Sequence, residues 1–203
     1  MSKRLCGWLA ALCLGLVLAG CETMSPDECR TANWQDIGLR DGLAGKPFSM
    51  LDDRAKDCAK AGTSVDTPQY VRGRERGLQT FCRLENAVPL GLNGSSYAGV
   101  CPAYIDHEFR RRHQIAYAVY AGRNRVSELD SRGDRLERRL RDADKDEDKQ
   151  LRAATKDDDR KRIRKDFDDR RRKIRNELQD VDREMRYARD SLRSAEYALG
   201  ALR

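Results

Sequence analysis

The chain has 203 residues, with 41 Lys/Arg against 34 Asp/Glu and a formal net charge of +7 at pH 7. Charged residues make up 37% of it with both signs interleaved, which reads as a solvated mixed-charge surface and not as the one-sided basic patch of a nucleic-acid binder. The charge is uneven: residues 122–203 hold 26 Lys/Arg and 21 Asp/Glu, whereas residues 22–121 have the composition of an ordinary small domain.

In chain order, Lys3 and Arg4 precede an apolar run from Leu5 to Leu18 that closes on the small residues Ala19 and Gly20. That is the order of a secretory signal peptide, and the run is short for a membrane span, which needs about 20 apolar residues. Leu18-Ala19-Gly20-Cys21 resembles the lipobox of bacterial lipoproteins. The resemblance implies removal of residues 1–20, acylation of Cys21 and attachment to the membrane through that lipid. Cys6 and Cys13 are then lost with the leader. Glu22, in a place where aspartate signals inner-membrane retention, points to the outer membrane, facing the periplasm.

Residues 21–121 read as a cysteine-containing helical domain. Ser25-Pro26-Asp27-Glu28 has the form of a capping box with Pro in the first turn. Asn33 offers a second start that breaks the first segment near Ala32, and the helix after it is ended by Gly45 and Pro47. A helix from Ser49 ends at Gly62, one beginning Thr67-Pro68 ends near Cys82, and one entered at Pro102 runs through Phe109 and Val119. Between the last two, Asn86, Pro89, Gly91, Gly94 and Gly99 predict a loop over 86–101. Gly38, Gly42 and Gly45, and then Gly73 and Gly77, recur at helical spacing. A mid-helix glycine costs about 1 kcal/mol relative to alanine, so these are read as sites of close backbone packing.

Without Cys21 the mature chain has four cysteines, and an even number in an oxidising compartment suggests two disulfides. Zinc is the rival reading, but no C-x₂₋₄-C pair is present. Cys82 and Cys101 flank the glycine-rich stretch, so their bond would close it, leaving Cys29 for Cys58. The second pairing needs the break near Ala32.

The ordered set Cys29, Trp34-x-x-Ile37-Gly38-x-x-Asp41-Gly42, Cys58, Tyr70-x-x-Gly73-Arg74-x-x-Gly77-Leu78-x-x-Phe81-Cys82, Gly99-Val100-Cys101-Pro102 and Tyr117-x-x-Tyr120-x-Gly122-Arg123 resembles an uncharacterised bacterial lipoprotein family, domain of unknown function 2799. The resemblance covers residues 24–123 and implies a cysteine-containing envelope lipoprotein. It implies no activity. Phe81 stands where that family commonly has Tyr.

In residues 122–203 the spacing becomes heptad-like. Ile174, Leu178, Val181, Met185, Ala188, Leu192, Ala195, Leu199 and Leu202 alternate steps of four and three, and Val126, Leu129, Leu136, Leu140 and Ala143 continue the seam with Gly133 in it. Little seam is visible between them, and Thr155-Lys156-Asp157-Asp158 resembles a fresh helix start. The expected fold is therefore mainly α: a small disulfide-bonded helical domain followed by a long charged coiled-coil helical hairpin. The rival arrangement is a single long helix that forms a homodimer.

Catalytic and metal patterns fail on spacing. His107-Glu108…His113 puts its second histidine off the face that H-E-x-x-H requires, so both histidines read as surface positions on a basic helix beside Arg110, Arg111 and Arg112, and Asp142-x-Asp144-x-Asp146 lacks the Gly and Glu of a calcium loop. No cofactor, metal or catalytic residue is expected. The favoured reading is a non-enzymatic envelope protein whose arm, residues 122–203, contacts protein or cell wall. The alternative is an envelope enzyme or enzyme accessory that binds an anionic ligand in the cysteine-containing domain. It would use the stretch Asn86–Tyr97 and a polar set of Asp41 with Arg74 and Arg123, each arginine following a glycine.

Overall fold

The structure is a computed structural model and describes residues 23–202. The leader and Cys21 lie outside the described residues. The described residues form seven helices and no strand: α1 Pro26–Thr31, α2 Trp34–Leu43, α3 Ser49–Lys60, α4 Thr67–Phe81, α5 Leu84–Leu92, α6 Ala103–Ala153 and α7 Asp157–Gly200. Cys29 is bonded to Cys58 and Cys82 to Cys101. No described helix is long and apolar enough to cross a membrane. The chain divides into two compact units. The first ends at Cys82 and takes in Ala98–Pro102; the second comprises Arg83–Tyr97 and the chain from Ala103 on. Position 121/122, where the composition changes, falls inside α6.

In the first unit the Ser25 hydroxyl accepts from the Glu28 amide while the Glu28 carboxylate accepts from the Ser25 amide. The chain breaks at Ala32, and the Asn33 side chain accepts from the Asp36 amide to start α2. That break lets Cys29 reach Cys58, with Cα atoms 5.3 Å apart. The next two helices begin where the sequence puts them, at Ser49 and Thr67, but neither of those residues is the cap. Helix α3 follows Phe48 with no side-chain cap. Helix α4 is capped by Asp66, one residue before Thr67: its carboxylate accepts from the Gln69 amide at 2.9 Å and places negative charge at the helix's positive end.

Helices α2 and α4 run parallel and touch backbone to backbone. A Cβ on Gly38 would strike the Tyr70 carbonyl oxygen, one on Gly42 the Arg74 carbonyl oxygen, one on Gly73 the Gln35 carbonyl oxygen, and one on Gly77 the Leu39 carbonyl oxygen. Four glycines thus give each helix a flat face against the other. Close approach brings Cα–H groups onto facing carbonyls and adds dispersion over the whole contact, which offsets the helical cost of glycine. Helix α3 carries the chain back between them. The core around Cys29, Trp34, Ile37, Leu51, Cys58 and Tyr70 closes one side.

The second unit begins with a correction. Residues predicted as loop form helix α5, with Pro89 inside it. Proline removes one amide donor from a nine-residue helix. The packing of Ala87, fully buried, and of Gly91 outweighs that loss. A Cβ on Gly91 would meet the His113 carbonyl, the Ala116 Cβ and the Tyr117 amide of α6.

Helices α5 and α6 repeat the construction of α2 and α4. Gly42 lies on Arg74, Gly77 and Leu78; Gly91 lies on His113, Ala116 and Tyr117, in the same order, with a carbonyl oxygen first and an amide nitrogen last in both. Each first helix ends in a Schellman motif. Gly45 donates to the Gly42 carbonyl and Lys46 to the Asp41 carbonyl, while Gly94 donates to Gly91 and Ser95 to Leu90. Gly45 and Gly94 both have positive φ, 61° and 80°, and each lies over an aromatic ring, Phe81 and Tyr120 respectively. Each pair has one disulfide, joining a residue ahead of its first helix to one in the connection leading to its second.

Beyond this packing α6 continues without interruption to Ala153 and pairs antiparallel with α7. Leu136, Ile174 and Val181 form the seam, supported by Leu140 and Leu178. Where the sequence showed little seam, Phe167 is buried and Arg171 of α7 pairs with Glu147 of α6. The outcome is a hairpin within one chain, 51 residues in α6 and 44 in α7.

Candidate functional site

Among the described residues the buried polar or charged side chains are Asp41 and His113. Asp41 stands on α2, on the face turned towards α3 and α4. Its carboxylate accepts from both terminal nitrogens of Arg54 on α3 and from the Tyr70 hydroxyl on α4, the last at 2.8 Å. The Asp41 hydrogen bond raises the pKa of Arg54 against the opposing effect of burial. Desolvation first, and the bond to Asp41 second, push the Tyr70 phenol up to about 12.

Asp41 and Arg54 line the wall of an open cavity of about 520 Å³, with Tyr70 buried behind them. Ile37 and Met24 supply apolar lining, and Glu28, Asn33 and Arg40 add polar groups around Asp41 and Arg54. Arg40 is exposed and has no ion-pair partner among the described residues. The site therefore offers two cations and two carboxylates in one concave surface, with the inner pair locked together and oriented by Tyr70.

The second helix pair provides an internal comparison. By the register of the two Schellman motifs, Asp41 corresponds to Leu90. By the matched contacts of α4 and α6, Tyr70 corresponds to Phe109. The same scaffold thus closes with two apolar residues, and Phe109 is fully buried. The polar cluster of the first pair is not a requirement of the packing. A buried ion pair seldom adds net stability over an apolar replacement of similar volume.

The sequence-predicted anion-binding residues do not converge. Arg74 belongs to the first unit, donates to the Lys46 carbonyl at 2.9 Å and lies over the Phe48 ring. Asp41 is taken by Arg54. Arg123 belongs to the second unit and pairs with Glu196 of α7 at 3.2 Å. Arg54 was missed; its spacing from Asp41 carries no motif, because the two meet through the fold of α3 back over α2.

His113, expected at the surface of a basic helix, is buried instead. Its Nε2 lies 2.8 Å from the Ser95 carbonyl, the position at which Arg74 meets Lys46 in the first pair. The Tyr97 and Tyr117 rings flank it, each 5.9 Å away centroid to centroid. The Tyr97 hydroxyl donates to Asp106, and with Arg110 it lowers the pKa of that carboxyl. His107 remains exposed. Among the described residues no group of three His, Cys, Asp or Glu side chains is placed to hold a metal ion.

A tandem of disulfide-stapled parallel helix pairs, with one polar cluster, defines the class of domain. Residues 33–118, from the cap of α2 to within α6, match the family described as protein of unknown function, DUF2799. That segment, which contains both helix pairs, belongs to the DUF2799 family. No curated protein and no solved structure matches the chain.

Proposed function

We propose that this is a lipid-anchored cell-envelope protein, held at the outer membrane through Cys21, that works by contact and not by catalysis. The observation that carries the reading is the continuity of α6. One uninterrupted helix begins in the packed α5–α6 pair and extends through the arm, so the arm is displayed by a stapled base. Its surface is densely charged, and Tyr187 and Tyr197 stand out from α7, 77% and 83% exposed. Exposed aromatics on a charged helix are the kind of residue that anchors protein contacts. The cysteine usage and the lipobox supply the compartment. Crosslinked pull-down from native membranes tests this: envelope partners should be recovered with the full chain and lost when residues 122–203 are removed. Recovery of the same partners without the arm rejects the reading.

A second reading follows from the cavity at Asp41 and Arg54. The first helix pair would bind a small polar ligand there, as an enzyme or enzyme accessory. Its support is that the same scaffold in the second pair has Leu and Phe in place of Asp41 and Tyr70. Replacing Asp41 by Leu and Tyr70 by Phe, together with Arg54→Met so that no guanidinium is left unpaired, should leave the fold intact. Full retention of function in cells after that exchange counts against this reading.

A further inference from the structure

The two flanks of the α6–α7 hairpin differ. On one, Arg125, Arg132 and Arg139 of α6 meet Glu184 and Glu177 of α7 in cross-helix ion pairs. On the other, Gly133 removes a side chain from the seam: a Cβ there would find its nearest neighbour, Val181 Cγ1, at 3.8 Å. A groove of about 290 Å³ opens beside it, lined by Leu129 and Met185 with charged residues at its edges.

The charges along that second flank are sorted into bands. The register follows from Gly122 lying on Leu192, Gly133 on Val181 and Arg139 on Glu177. At the end near Gly122 stand Arg123, Arg186, Arg189 and Arg193, with Glu196 paired to Arg123 as the one acid among them. Next come Asp130, Asp134, Glu137 and Asp182, then Arg141, Arg172 and Arg175. The last band is Asp144, Asp148 and Asp168. All of these side chains are exposed. Asp130, Asp134, Asp182, Arg175, Arg186 and Arg189 have no ion-pair partner among the described residues.

We infer that this banded flank is an interface for a second copy of the chain, packed antiparallel about a two-fold axis at the level of Leu136 and Leu140. The order is basic, acidic, basic, acidic. Rotation about an axis between the two middle bands sets every basic band against an acidic band of the partner copy. A surface must be self-complementary in this way to form an isologous dimer. The flank runs about 39 Å at 1.5 Å per residue. Two helices wide, it matches the roughly 800 Å² per partner of a standard interface. This names one partner of the arm that the proposed function reads as a contact surface; its failure would leave the envelope pull-down result standing.

Sedimentation velocity of the full-length chain in detergent tests the pairing. A dimer is expected at low salt, dissociating as ionic strength rises from about 0.05 to about 0.5 M. The variant with Asp130→Arg, Asp134→Arg and Asp182→Arg makes both middle bands basic, and the variant with Arg172→Asp and Arg175→Asp makes both acidic. Each alone should be at least tenfold less dimeric, and an equimolar mixture should dimerise. Circular dichroism of each variant checks that the helices persist. A monomeric wild type at low salt, a dimer indifferent to both exchanges, or folded variants that stay monomeric when mixed would each overturn the inference.

Discussion

The Tyr70 hydroxyl donates to the Asp41 carboxylate at 2.8 Å inside the first helix pair. Burial first, and this bond second, hold the phenol neutral up to about 12, against about 10 in an unfolded chain. Between those two values the unfolded state gives up the proton while the folded state keeps it. The stabilisation is therefore complete below pH 10 and is lost as pH rises through the folded value. Urea unfolding across pH 9 to 12 should show a fall in midpoint that Tyr70→Phe reduces. A slope unchanged in the variant would assign the alkaline loss to other groups.

The α2–α4 contact should tolerate no side chain. Gly38→Ala and Gly73→Ala each drive a methyl into a backbone carbonyl of the facing helix. Backbone cannot step aside as a side chain can, so each should cost about 3 kcal/mol or more. Gly133→Ala is the contrasting case. Its methyl meets its nearest neighbour at an ordinary 3.8 Å, and helix propensity should make it stabilising by about 0.5–1 kcal/mol. Denaturant midpoints of the three variants check the contrast.

Asp57 ties down the start of the described chain. Its carboxylate pairs with Lys60 at 2.9 Å and accepts from the Thr23 amide and hydroxyl at 2.8 and 2.9 Å. Lys60 is the largest cause, and Thr23 the next, of a pKa held far below the usual carboxylate range. The contribution is therefore present above the ordinary carboxylate value and is lost as pH falls below it. Asp57→Ala should release the Thr23 amide to rapid hydrogen exchange at neutral pH, while the α2–α4 amides stay protected.

Each disulfide closes a separate loop, with sequence separations of 29 and 19. Exchange of either pair for serine should cost about 3 kcal/mol. Loss of Cys82–Cys101 should affect the stretch Arg83–Cys101 in particular. Non-reducing peptide mapping that joined Cys29 to Cys82 would refute the pairing on which this rests.

Much of the fold was legible because local chemistry stated it. Ser25 with Glu28, the cap at Asn33 and the heptad run from Ile174 each act through residues close in sequence. Helix α5 was not legible, since Asn86, Pro89, Gly91 and Gly94 carry the signature of a loop and Gly91 earns its place only against α6. The same holds for the site. Asp41 was singled out, but its partners Arg54 and Tyr70 come from two other helices, and no spacing rule connects them. His113 was misplaced because three neighbouring arginines suggested a solvated face. Arg171 supplies the seam of α7 with a charge, so hydrophobic periodicity passes it by.

The correspondence between α2–α4 and α5–α6 has a consequence for how such a chain can change over generations. A packing solution carried twice leaves each copy freer to drift than a single one would be. One copy has an aspartate and a tyrosine where the other has leucine and phenylalanine. The other has let its second helix run on to more than twice the length. Specialisation of this kind needs no new architecture, only a spare copy of an old one.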